Sequence, residues 1–164
     1  MYLSDSNEMK SVFLSLISAL MLTACSSKIA NQKPVILGPH LIILNGDSDS
    51  RRAGEILTVN FAFDSSALDQ TAKEILTTNA DYLKNHTLVS VQIEGHCDER
   101  GSRQYNLALG ERRASAVRNF LKGLGIRGQR MKMISLGNEK LLATGDSETS
   151  HAKNRRTNFI ILGK

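Results

Sequence analysis

Residues 95–124 read GHCDERGSRQYNLALGERRASAVRNFLKGL, and they carry a charge where a helix should not have one. From Asn106 onward, apolar side chains recur at Leu109, Val117, Phe120, Leu121 and Leu124, the three-and-four spacing of one buried helical stripe. Arg113 falls on that stripe, four residues after Leu109 and four before Val117, while its neighbour Arg112 turns outward. A guanidinium keeps its proton, so at a half-buried position it needs an anion, either a protein carboxylate or one brought by a ligand. The polar turn at residues 96–101 precedes the helix directly and follows a strand, which brings Asp98 to the same end of the element. An acid and an arginine so arranged have two readings. One is an internal ion pair. The other is a seat for a zwitterion, with Asp98 on an ammonium and Arg113 gripping a carboxylate through two parallel hydrogen bonds.

Outward from this stretch the chain alternates strand and helix. Residues 56–63 predict a first strand with Leu57, Val59, Phe61 and Phe63 on one face. Asp64-Ser65-Ser66 turns the chain. A helix then runs from an N-cap at Asp69 to about Asn85, contributing Ala72, Ile75, Leu76, Tyr82 and Leu83 to the core. Val89, Val91 and Ile93 alternate with polar residues in a strand at 88–94. The long helix, from about Arg103, ends at Gly123 and Gly125. Residues 131–136 form a third strand, and a helical turn at 150–154 leads into a last strand at 157–162. This β-α-β-α-β-(α)-β order predicts an α/β fold, a two-layer sandwich of one mixed sheet with helices on one face, over residues 55–164.

The first 24 residues read as a signal peptide. Lys10 precedes an apolar run of 11 residues from Val12 to Leu22, too short to span a bilayer. Leu22-Thr23-Ala24-Cys25 then looks like a bacterial lipobox, making Cys25 the lipidated N-terminus; the alternative is a buried helix with an ordinary thiol. Asp5 and Glu8 sit poorly in a positively charged leader, so Met9 is expected to be the start. Residues 25–54 form a tether or arm, broken by Pro34, Gly38-Pro39 and a polar run at 45–52, able to reach about 100 Å at full extension. Its apolar pieces at 35–37 and 41–44 are expected to dock, either on their own domain or on a partner. In a 164-residue chain without tryptophan the core must come from Leu, Ile, Val and a few Phe, and a net charge of +5 favours an anionic partner.

GHxDERG, followed by YN and LGERRAxAV, resembles the OmpA-like peptidoglycan-binding domain family, closest to its peptidoglycan-associated lipoprotein branch. Phe61-Ala62-Phe63-Asp64 and Lys153-Asn154-Arg155-Arg156 extend the resemblance over roughly residues 56–162. It implies an outer-membrane lipoprotein, lipid-anchored on the periplasmic face through Cys25, that binds peptidoglycan non-covalently by the meso-diaminopimelate of its stem peptide. Ser26, not aspartate, follows the lipidated cysteine, which favours the outer membrane. By the same resemblance Asp98 takes the ligand's ammonium and Arg113 its carboxylate. Phe63 and Asp64 complete the pocket with a side-chain wall and backbone N–H groups. Asn106 braces the loop to the helix or is a plain helix-start polar group; Arg155 and Arg156 form the pocket floor or touch ligand. Leu109 and Val117 are core. Replacing Asp98 or Arg113 by alanine is expected to abolish sacculus binding with the fold intact. No enzyme activity, cofactor or metal is implied.

The sequence departs from that pattern at Cys97, which is either a small buried residue or an oxidisable thiol, and at Leu136 and Leu141, which predict a reshaped loop at 137–150. Metal chemistry would need more than His96, Cys97, Asp98 and His151, since the adjacent pair points in different directions. Nucleic-acid binding through the basic band of Arg100, Arg103, Arg112, Arg118, Lys122, Arg127, Arg130 and Lys132 lacks aromatic platforms. The serious rival is one of role: a lipoprotein subunit that anchors an envelope machine, a Tol-like system or the core of a secretion system, motor or efflux assembly, to the wall.

Overall fold

The alternation of Val89, Val91 and Ile93 and the matching pattern of Phe159 and Ile161 bury one face of two neighbouring strands, and the sheet is built around them. The computed structural model describes residues 35–36, 41–42 and 46–162. In chain order the elements are β1 (Val35–Ile36), β2 (Leu41–Ile42), β3 (Val59–Asn60), α1 (Gln70–Asn85), β4 (Ser90–His96), α2 (Arg103–Gly123), β5 (Met131–Gly137), α3 (Glu148–Asn154) and β6 (Arg156–Leu162), with a 3₁₀ turn at Gly128–Arg130. β1 and β2 pair with each other, antiparallel. The main sheet has the order β3-β6-β4-β5, with β4 and β5 parallel and the other pairs antiparallel, a mixed sheet as expected. The leader and Cys25 lie outside the described residues.

The helices begin and end where local chemistry dictates. The Asp69 carboxylate accepts from the Ala72 N–H at 2.7 Å, the cap predicted for α1. Ser102 does the same for α2 by accepting from Tyr105 N–H. Beyond α2, Gly125 turns at φ +93°, its N–H bonds to Lys122 C=O, and Ile126 N–H reaches back to Leu121 C=O. That is a Schellman ending, sealed by the buried Ile126 and Leu121. Leu76, Leu83, Val117 and Leu121 lie with Val91, Ile93, Phe159 and Ile161 in a single core between helices and sheet.

Two expectations need correction. The first strand is two residues long rather than spanning 56–63. Ile56, Val59 and Phe61 are buried while Leu57 and Phe63 are exposed, so the stretch does not keep one face toward the core. Only a short part pairs with β6, and Phe61 N–H and the Arg155 side chain then tie the chain end down. The end of the arm is also packed: Ser48 N–H bonds to Phe159 C=O and Ile161 N–H to Gly46 C=O, which continues the sheet beside β6 past the end of β3. Ala53 is fully buried.

Residues 47–49 cover a polar stripe on the sheet. Arg156, wholly buried, donates to Asp49 at 2.9 Å, the Ser48 hydroxyl to the side-chain amide oxygen of Asn158 at 2.9 Å, and the Asn158 amide nitrogen to Glu94 at 3.1 Å. Burial pushes the Glu94 carboxyl up, but the His96 imidazole 3.6 Å away and hydrogen bonds from Gln92 and Asn158 outweigh it and hold it at about 2. Helix and sheet approach most closely at two glycines. A methyl carbon on Gly95 of β4 would lie 2.5 Å from the Gly110 carbonyl carbon of α2, and one on Gly110 would lie 2.8 Å from the Gly95 oxygen. A backbone atom cannot step aside as a side chain can, so Gly95→Ala is expected to cost about 3 kcal/mol or more, read as a lower urea midpoint at unchanged slope.

Candidate functional site

Three segments meet at the C-terminal end of β4. The first is the turn at 62–65, closed by Ser65 N–H to Ala62 C=O, with Asp64 at φ +51°, a conformation aspartate tolerates better than most residues. The second is the loop at 97–101. A bulge between Gly95 and His96 shifts the register against β5, and Cys97 N–H then bonds to Gly137 C=O, aiming Asp98 away from the sheet. The third is the first half of α2, which supplies Tyr105, Asn106, Leu109 and Arg113.

Arg113 is completely buried and binds all three segments. Its Nε donates to Ser65 C=O at 2.8 Å, Nη1 to His96 C=O at 2.8 Å, and Nη2 to Ala62 C=O at 3.1 Å. A longer contact of 3.4 Å joins Nη1 to Cys97 Sγ, and the guanidinium carbon stands 5.1 Å over the Phe61 ring. Among the described residues no carboxylate pairs with it. The internal Asp98–Arg113 ion pair is therefore not formed. Burial lowers the pKa of the Arg113 guanidinium, and backbone dipoles rather than a countercharge hold it. One N–H on Nη2 stays open, so a grip on a carboxylate by two parallel bonds requires the weak contact to Cys97 to give way.

Asp98 is 4% exposed and has other partners. Arg100 Nη2 donates to its Oδ2 at 2.5 Å, Arg155 Nη1 to the same oxygen at 3.3 Å, and Arg100 N–H to Oδ1 at 3.2 Å. Burial raises the acid's pKa, but the hydrogen bonds from Arg100 and Arg155 outweigh it and the net shift is downward. Asn106 acts as a brace: its Nδ2 donates to Arg100 C=O at 2.9 Å and to Asp98 C=O at 3.4 Å, while Cys97 Sγ–H reaches Asn106 C=O. The Cys97 thiol is buried and its pKa is raised by that burial.

Between these groups lies a cavity of about 170 Å³ lined by Phe63, Asp64, Cys97, Asp98, Arg100, Tyr105, Asn106, Leu109, Arg113 and Arg155, together with Gly101. At roughly 10–15 Å³ per water-sized group, that is room for on the order of ten such groups, enough for the charged end of one amino acid. Of the expected site residues, Phe63, Asp64, Asp98, Asn106, Arg113 and Arg155 line it. Arg156 does not: it binds Asp49 and the carbonyls of Asn154 and Lys140 instead. Leu109, expected to be core alone, also forms cavity wall.

Arg155 sits below the pocket, donating to Phe61 C=O, Asp98 and Glu148. Reading the sequence left out Arg100, Tyr105 and Glu148. Tyr105 Oη donates to the Asp64 carboxylate, and Arg100 lies 4.1 Å over the Phe63 ring. The YN and DERG motifs contained the first two, but nothing in their spacing says that they turn toward Asp64 and Asp98. The amide N–H groups of Phe63 and Asp64 bond to no other described residue. The loop at 137–150 is pinned by Asn154, which accepts from Leu142 N–H and Ala143 N–H and donates to Ala143 C=O. Much of the basic band is spent internally: Arg103 pairs with Glu139, and Arg130 caps the Val89 and His86 carbonyls.

This geometry changes one expectation. Removing the Arg113 side chain leaves three carbonyls without their donor, each costing about 1–3 kcal/mol where water cannot reach. Arg113→Ala is expected to lower unfolding free energy by about 3 kcal/mol or more in urea titration, whereas Asp98→Ala, whose shortest ion-pair partner Arg100 is itself open to solvent, is expected to fall by less.

The OmpA family model matches residues 60–155, a span that contains the whole cavity. A peptidoglycan-associated lipoprotein of Mesorhizobium japonicum is 36% identical over 159 residues, covering 93% of this chain and 92% of the relative. One of Brucella melitensis is 45% identical over 103 residues, covering 63% of this chain; the match spans 61% of that relative's length. The crystal structure of the peptidoglycan-associated lipoprotein from Burkholderia pseudomallei superposes with a TM-score of 0.61 at 43% identity, covering 63% of this chain and 88% of that one. With the family model on more than half of its residues and a relative matched almost end to end, this chain belongs to the OmpA family.

Proposed function

We propose that this protein is an outer-membrane lipoprotein that holds peptidoglycan non-covalently by the zwitterionic end of meso-diaminopimelate in its stem peptides. One observation carries the reading: a buried cation and a buried carboxylate line one cavity without neutralising each other. Arg113, held by carbonyls, keeps its charge free for a carboxylate, helped by the amide N–H groups of Phe63 and Asp64. Asp98 faces the same space and accepts an ammonium. A group carrying both signs on one carbon fits such a pair, and one carrying a single sign leaves the other unanswered.

The relatives support the coarser part of this reading, since the Mesorhizobium, Brucella and Burkholderia proteins are each described as peptidoglycan-associated lipoproteins. An alignment spanning 93% of this chain is too long to leave out residue 25, so the likeness to that lipoprotein extends into the segment that carries the proposed lipidation site. The chemistry proposed is binding alone.

The test uses the full chain and purified sacculi. Asp98→Ala is expected to lose sacculus binding by on the order of 100-fold or more, since cutting one side of a desolvated charge pair costs about 2–5 kcal/mol. A muropeptide with diaminopimelate is expected to bind and its lysine counterpart, lacking the carboxylate, to bind far more weakly. Equal pelleting of the Asp98→Ala variant would remove the basis of the proposal. Because Asp98 is held below its ordinary value of 3.8 when folded, its charge, and the stability it adds, persist above that value and fade only as pH falls through the lower folded one. Sacculus binding at pH 5 is therefore expected to equal that at pH 7.

A further inference from the structure

We propose that Arg100 is a built-in competitor for the site: its guanidinium occupies Asp98 and covers Phe63, and a ligand's ammonium must displace it to bind. The inference rests on the diaminopimelate reading above and names a residue that sets the affinity of that same pocket.

Arg100 Nη2 stands 2.5 Å from Asp98 Oδ2, the oxygen an incoming ammonium would take, and its guanidinium carbon lies 4.1 Å from the centroid of the Phe63 ring, the wall a methylene chain would follow. Both halves of the ammonium seat are thus filled by one side chain of the protein itself. Asp98 does not depend on it for neutrality, because Arg155 approaches the same oxygen at 3.3 Å and is itself buried. Arg100 is the exposed member of the pair, with 39% of its side chain open to solvent. It also has somewhere to go, since Glu148 Oε2 lies only 3.7 Å from Nη2, and displacement leaves it beside that carboxylate. The loop does not need the side chain to hold its shape. The Arg100 N–H bond to Asp98 and the Asn106 bond to Arg100 C=O are made by the backbone and survive its removal.

A tethered cation acts at an effective concentration in the millimolar range or above, so any free cation must outbid it. A ligand that also engages Arg113 and the Phe63 and Asp64 N–H groups has the further contacts to do so. Arg100 therefore raises the threshold for weak amines throughout the site's working range.

The experiment titrates the full chain with a diaminopimelate-containing muropeptide by calorimetry, comparing wild type with Arg100→Ala, Arg100→Lys and Asp98→Asn, each checked by circular dichroism to be fully folded at the titration temperature. Arg100→Ala is expected to bind about tenfold more tightly, a change of about 1.4 kcal/mol. Arg100→Lys, which restores a cation on Asp98, is expected to return near wild type. Binding by Arg100→Ala that is unchanged or weaker overturns the proposal, because the arginine would then be a bystander or a ligand contact. Asp98→Asn separates the two failures. If it loses binding while Arg100→Ala gains none, only the competitor role has failed; if it binds as wild type does, the pocket reading has failed and the competitor role with it.

Discussion

A fully buried guanidinium held by three backbone carbonyls organises this end of the molecule. Arg113 cannot shed its proton, and the fold meets that constraint with dipoles from Ala62, Ser65 and His96 rather than with an acid. The consequence is structural and functional at once. The turn after β3, the end of β4 and the middle of α2 are fixed to one another by a single side chain, and because carbonyls supply no net charge, the cation is solvated without being neutralised. An ion pair with Asp98 would have neutralised the cation and removed its capacity to attract an anion.

The close packing that makes this possible depends on what is missing. Gly95 and Gly110 let α2 settle against β4 at backbone contact, which carries Arg113 down to the His96 carbonyl. Glycine in mid-helix costs about 1 kcal/mol relative to alanine. That cost is set against the approach it allows. Of the neighbouring pair Arg155 and Arg156, one reaches the cavity acid Asp98 and the other the arm residue Asp49. Two consecutive arginines thus connect the pocket to the stretch where the arm joins the sheet.

The charged residue on an apolar stripe was legible in the sequence because helical periodicity fixes which face a residue takes, and Arg113 is buried where that spacing put it. The Asp69 cap, α1, α2, β4, β5 and β6 follow from equally local rules. The first strand failed for a tertiary reason. Residues 56–63 alternate well enough to be a strand, but β6 offers a partner only to Val59 and Asn60 before the arm takes its place beside Ile160. The polar run at 45–52 looked like tether because its serines and aspartates signal solvent; their partners Asn158 and Arg156 lie more than a hundred residues away, beyond any local pattern. Arg100 and Tyr105 were missed for the same reason, their orientation being set by what stands opposite.

Charge balance around the cavity gives the site its direction. Arg100 and Arg155 share Asp98 and Glu148, Tyr105 holds Asp64, and Arg113 alone among the cavity arginines is held by neutral groups, so the charges around the pocket are nearly balanced. Adding an anion or a cation by itself would upset that balance inside a poorly solvated space. A zwitterion adds none: its ammonium takes over the place of Arg100 on Asp98, its carboxylate meets Arg113, and Arg100 moves to a carboxylate already beside it. The proposed ligand is thus the kind of group that can enter without forcing any buried charge to go unpaired.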